Sequence, residues 1–233
     1  EASTAQWLST AFMLTLAIVI PTTGFLIQRL STRTVFILAM SLFSLGTAIA
    51  AVAPGFEVLL VGRVVQASGT AIMMPLLMTT VMTLVPPHER GKTMGNISIV
   101  MSVAPAVGPA VGGLIVQALD WRFIFILVLP IALLALGLGI MRVQNVTEPR
   151  AVPFDVTSVI LSALAFGGLI FGLSSLGEAV SGNAVIAPWI PLTVGGISLV
   201  LFVVRQLTLQ RREQAFLDLR TFTSRGFTVA IVL

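Results

Sequence analysis

The sequence predicts an all-α fold: a helical bundle that crosses a membrane several times. Three observations carry that expectation. Only 13 basic and 9 acidic residues are spread over 233 positions, 9% of the chain, against about 25% in an ordinary soluble domain. The composition is 57% hydrophobic with a mean hydropathy of +1.06, too little polar surface to coat a water-soluble globule. Seven stretches contain no Asp, Glu, Lys or Arg: 2–28, 34–56, 64–87, 93–119, 123–141, 156–177 and 179–204. A helix needs about 20 apolar residues to cross the hydrocarbon core, and every stretch suffices. These figures exclude a disordered chain, a collagen-like repeat, a disulfide scaffold (Cys is absent) and a basic nucleic-acid module.

The first span, 6–28, has neither a charged leading region nor a small-residue cleavage site, and reads as a spanning helix rather than a signal peptide. The chain opens on Glu1 and stops within an apolar run, Gly226 to Leu233, so both ends are expected to be cut. The second span, 34–53, holds no charged residue, and the third, 57–85, holds Arg63 and a row of Met74, Met78 and Met82. The fourth, 91–117, is broken by Pro105, Gly108, Pro109, Gly112 and Gly113. Proline removes ladder hydrogen bonds and glycine admits a close neighbour, so this helix is expected to be bent and tightly packed. The remaining spans, 121–141, 155–176 and 186–205, are apolar and bounded by charges.

Loop charge alternates. Arg29 and Arg33 follow the first span, Arg90 and Lys92 the third, Arg142 and Arg150 the fifth. Arg205, Arg211, Arg212, Arg220 and Arg225 follow the seventh, whereas the opposite loops hold only Arg122. The basic loops are therefore expected in the cytoplasm and the amino terminus outside. Trp7, Trp121 and Trp189 each open a span on the outer side, where indoles favour the interface. In this topology Asn96-Ile97-Ser98 and Asn145-Val146-Thr147 are chance matches to the glycosylation acceptor.

Reactive chemistry is sparse. His88 is the only histidine and lies in a loop, and Gly91-Lys92 lacks the upstream glycine of a phosphate-binding loop. No metal, cofactor or enzymatic activity is expected; movement of a solute is the natural alternative. Arg63 is the exception within a span, where a cation costs about 2.5–3.5 kcal/mol at the centre. It lies six residues after Glu57, roughly 9 Å deeper. It either snorkels to the outer headgroups or faces a cavity. Gln66, Thr70 and Met74 share its stripe at helical spacing, as cavity-facing residues would.

The ordered motifs resemble the major facilitator superfamily, in particular its fourteen-helix drug:proton antiporters of the EmrB/QacA type. Gly24-x-Leu26-x-Gln28-Arg29-x-Ser31-Thr32-Arg33 is similar to the family's loop between its second and third helices, with Gln28 where Asp is usual. Arg63-x-x-Gln66-x-x-Gly69 resembles the motif of its fourth helix, with Ala67 in place of glycine. Gly108-Pro109-x-x-Gly112-Gly113 matches the antiporter motif of the fifth, with Ala104 where glycine is usual. Trp121-Arg122-Phe123-Ile124-Phe125 and Pro130 resemble the opening of the sixth, and Leu217-Asp218-Leu219-Arg220-x-Phe222 the lead into the second half. The stretches at 21–26 and 73–78 look closest to the lincomycin-resistance branch.

The resemblance implies a partial major facilitator fold covering the family's second to eighth helices. Residues 1–143 would form the amino-terminal bundle, 144–208 a loop with two extra central helices, and 209–233 a linker into the carboxy-terminal bundle. It implies proton-coupled efflux of drug-like small molecules by alternating access, in the cytoplasmic membrane of a bacterium, by a monomer embedded in the bilayer. Arg63, Gln66, Thr70 and Met74 would line the substrate and proton cavity. Gly24, Gln28, Arg29, Arg33, Gly108, Pro109, Gly112 and Gly113 would serve gating and helix packing. With Gln28 in place of Asp, the charge latch of that loop loses its carboxylate. The coupling carboxylate itself is expected upstream of Glu1. A facilitator symporter, a metabolite exporter and a non-transporting scaffold or remnant are the competing expectations.

Overall fold

The computed structural model describes residues 2–146, 155–180 and 186–210, all of them helix or short connection. Seven helices follow in order: α1 (Ala2–Arg29), α2 (Thr32–Ala51), α3 (Phe56–Leu84), α4 (Pro87–Ala118), α5 (Arg122–Arg142), α6 (Val156–Val180) and α7 (Trp189–Gln210). Each is long and apolar enough to cross a membrane. The expected spans correspond one to one, with ends shifted by a few residues. The α4 helix starts at Pro87 because proline suits a first helical position, and Glu89 complements the positive end of the first turn. The carboxy-terminal motif at 217–222 and Arg150, Arg211, Arg212, Arg220 and Arg225 lie outside the described residues.

The chain divides into two compact units, Glu1–Leu16 with Leu30–Pro149 and Ala17–Arg29 with Arg150–Leu233. In the first, α2 is the central helix and packs on both α3 and α5. Small side chains permit this: Val35, Ala39, Ala50, Ala67 and Ala71 are all but inaccessible. A Cβ on Gly46 would meet the carbonyl oxygen of Gly62 at 2.6 Å and collide with the backbone of Gln66. The α2 and α3 backbones are therefore in direct contact. Dispersion across that seam holds the pair, since lipid offers no hydrophobic penalty for separating them.

Three arginines close helix carboxyl ends, where the last carbonyls lack partners and the dipole is negative. Arg33 Nη2 donates to Ile140 O at 2.8 Å, near the end of α5. Arg90 donates to Met82 O at 2.8 Å and Val85 O at 3.0 Å, at the end of α3. Arg122 reaches Ala53 O through Nη2 at 2.8 Å and Nε at 3.0 Å, just past α2. Arg122 also stacks 4.4 Å from the Trp121 ring centre and pairs with Asp120 at 3.1 Å. The Asp120 carboxyl accepts the Arg122 backbone N–H and then its guanidinium, which holds it below the usual carboxylate range.

In the second unit α6 and α7 form an antiparallel hairpin. A Cβ on Gly168 would lie 2.9 Å from both Gly195 Cα and Pro191 O, so these backbones also touch. At one end Arg205 grips Asp155 with two parallel bonds of 2.8 Å. Gln206 Nε2 donates to Ser158 Oγ at 2.7 Å, and Ser158 Oγ donates to Asp155 at 2.5 Å. The Arg205 bonds, followed by that of Ser158, bring the Asp155 carboxyl down to about 2 against the opposing cost of burial.

Candidate functional site

The α2–α3 seam positions the polar groups of the third helix. Because the backbones touch at Gly46 and Gly62, the Gln66 amide crosses to the neighbouring helix. Its Nε2 donates to Thr47 Oγ1 at 2.8 Å, and that hydroxyl donates onward to Phe43 O at 2.7 Å. Gln66 Oε1 accepts from Arg63 Nη1 at 2.7 Å. The guanidinium carbon stands 4.2 Å from the centre of the Phe12 ring of α1, close enough for a cation–π contact. Arg63 is half-buried, and among the described residues no carboxylate pairs with it. The side chain is thus held from one side by an amide and covered by a ring. A guanidinium has five N–H donors and Gln66 engages one of them, so an anion or substrate carbonyl could be received by the others.

The four residues of the expected stripe divide. Gln66 is buried, at 5% exposure, and belongs to the seam between α2 and α3. Thr70 Oγ1 donates to the Gln66 carbonyl at 3.1 Å, the ordinary back-bond of a helical threonine. Met74 lies open at 40% exposure, with Met78 and Met82 similarly exposed below it. Thr47 and Phe12 are the functional candidates that sequence reasoning missed. Thr47 carries a weak signal as a hydroxyl within the small-residue run Gly46-Thr47-Ala48; Phe12 carries none, being an aromatic in an apolar helix.

The loop-motif residues separate in the same way. Gln28 and Arg29 are exposed at the end of α1, with Arg29 5.7 Å from the Phe25 ring centre. A Cβ on Gly24 would meet nothing within 4 Å. Arg33 is engaged with α5, and its backbone N–H donates to Asn145 Oδ1 at 3.3 Å. On α4, Gly108 and Gly113 face open space and a Cβ on Gly112 would come only within 3.9 Å of Ile124 Cδ1. No described residue of α4 is buried, and Pro105 and Pro109 sit within the helix. The close packing expected of this cluster is not made among the described residues.

The family model of the Major Facilitator Superfamily matches residues 1–209. The chain belongs to this superfamily. Membership places it among multi-pass membrane transporters rather than enzymes. The lincomycin resistance protein LmrB of Listeria monocytogenes is 44% identical over the whole chain, which covers 48% of that relative. LmrB of Bacillus subtilis is 42% identical, again over the whole chain and 48% of the relative. The putative multidrug resistance protein MdtD of Escherichia coli is 30% identical over 95% of the chain and 46% of its own length. The chain therefore spans about half the length of the curated relatives it matches.

Proposed function

We propose that this chain is part of a proton-coupled exporter of drug-like amphipathic molecules that works by alternating access in a bacterial cytoplasmic membrane. The observation that carries the reading is the bound intramembrane cation. Arg63 is held by Gln66, which is itself fixed by Thr47, and is covered by Phe12, an arrangement whose cost is justified by a partner at depth. A carboxylate facing that guanidinium would have its proton affinity set by the balance of burial and charge. Protonation would release it from Arg63 and so report the proton to the bundle. The resemblance to drug-resistance proteins supplies the substrate class, and the exposed Met74, Met78 and Met82 offer an adaptable apolar wall.

In this reading the arginine-rich helix ends face the cytoplasm, the protein acts as a monomer, and the open face of α4 at Gly108, Pro109, Gly112 and Gly113 is a packing surface for the rocking half-bundles. Gly24, Gln28 and Arg29 act at the cytoplasmic gate, with Gln28 bonding as a neutral amide. Everted vesicles carrying the complete gene product test the direction of coupling. Acidifying the lumen should drive accumulation of a fluorescent lipophilic cation, and collapsing the gradient should release it. Substrate movement in the same direction as protons would identify a symporter instead.

A further inference from the structure

Apart from the Arg63 site, the first unit holds a cavity of about 670 Å³ at its arginine-rich end, between the start of α2 and the last turns of α3 and α5. Phe36, Leu76, Leu77 and Leu84 supply apolar wall, and Arg142 and Gln144 stand along its edge. Two details fix its form. Gly139 on α5 leaves no room for a Cβ against the Phe36 ring, so that ring packs directly on the α5 backbone and lines the cavity. The Asn145 side-chain oxygen Oδ1 accepts the Arg33 backbone N–H, which ties the stretch after α5 to the start of α2. Arg33 and Arg90 spend guanidinium donors on helix carbonyls. The Arg142 side chain makes no hydrogen bond or ion pair among the described residues and is exposed.

An apolar hollow at the helix ends, edged by an uncommitted cation, has the polarity profile of a phospholipid: chain inward, phosphate at the rim. We propose that this cavity binds one anionic phospholipid of the adjacent leaflet, with the upper part of an acyl chain against Phe36 and Leu77 and the phosphate on Arg142. The volume lies in the range of about 300–1,000 Å³ typical of small-ligand sites, and basic pockets between spanning helices are suited to acidic headgroups. The site is independent of Arg63 and of the proton-coupled reading.

The test is native mass spectrometry of the complete gene product, released from detergent with either phosphatidylglycerol or phosphatidylcholine added. One phosphatidylglycerol should be retained in preference to phosphatidylcholine. Arg142→Gln should weaken phosphatidylglycerol retention about fivefold, the contribution of one cation near an anionic surface, and leave phosphatidylcholine unchanged; Arg142→Lys should restore it. Leu77→Trp, which fills the hollow from a partly exposed wall position, should reduce retention of both lipids, with the size-exclusion profile checking that it folds. Equal retention of the two lipids by the unaltered protein would overturn the proposal, as would indifference to Arg142→Gln. Loss on Arg142→Gln with no effect of a folded Leu77→Trp would mean a headgroup contact without the cavity, also contradicting it. Displacement by millimolar inorganic phosphate would identify a free-anion site and overturn the lipid assignment.

Discussion

Arg63 is ordered by a short relay rather than by an ion pair, and each link has its own role. Thr47 is satisfied at both ends, as donor to Phe43 O and acceptor from Gln66. Gln66 therefore presents its carbonyl oxygen to Arg63 in one orientation. A hydrogen bond to a charged group is worth about 1.5–3 kcal/mol, and about 1.4 kcal/mol is a factor of ten in an equilibrium. Gln66→Leu should thus reduce proton-driven transport about tenfold or more while the protein still inserts and purifies. Transport assays beside a thermal melt separate the two effects. Helical spacing in the sequence puts Gln66 on the Arg63 stripe, and the two side chains are hydrogen-bonded. Spacing along one helix carries no information about which neighbour a long amide reaches, so its bond to Thr47 and the covering by Phe12 were not legible. The arginine caps were hidden for the same reason: Arg33 and Arg122 read as topology charges, yet their partners are carbonyls 107 and 69 positions away in the chain.

At the scale of elements, the helices differ in what their glycines do. Gly46 lies in backbone contact between α2 and α3, whereas Gly108 on α4 faces open space. Gly46→Ala should cost about 1–3 kcal/mol or more through overpacking, lowering the melting temperature of the purified protein. Gly108→Leu should leave stability within about 0.5 kcal/mol yet abolish transport if α4 carries the packing face proposed for it. Normal transport by that variant would contradict the assignment. The α6–α7 hairpin makes a different prediction. The Asp155 carboxyl is depressed to about 2 by Arg205, below its ordinary value of about 3.9. A depressed acid stabilises fully above its unfolded value and loses that contribution as pH falls through the folded one. Hairpin stability should be flat between pH 5 and 8 and decline only below about 4; a titration of thermal stability against pH reads this directly. The α7 helix runs past its expected end at 205, where Arg205 and Gln206 find partners at the start of the hairpin, Asp155 just before α6 and Ser158 within it, a tertiary gain that hydropathy cannot register.

For the whole molecule, the seven spans were legible because charge is costly in hydrocarbon. Nearly all the charged residues gather in the loops, and the gaps between charges then mark the helices. The same economy made Arg63 conspicuous. What the chain alone could not indicate is that α2 packs on α5, distant in sequence, as well as on its neighbour α3. The bound cation at one seam is the centre of the functional account, and one measurement addresses it most directly. The complete gene product is reconstituted into proteoliposomes, and drug and proton fluxes are recorded together for the unaltered protein, Arg63→Ala and Arg63→Lys. The account predicts that Arg63→Ala abolishes substrate movement driven by a pH gradient while downhill exchange persists, and that Arg63→Lys recovers part of the coupling. Undiminished proton-driven efflux by Arg63→Ala would contradict it.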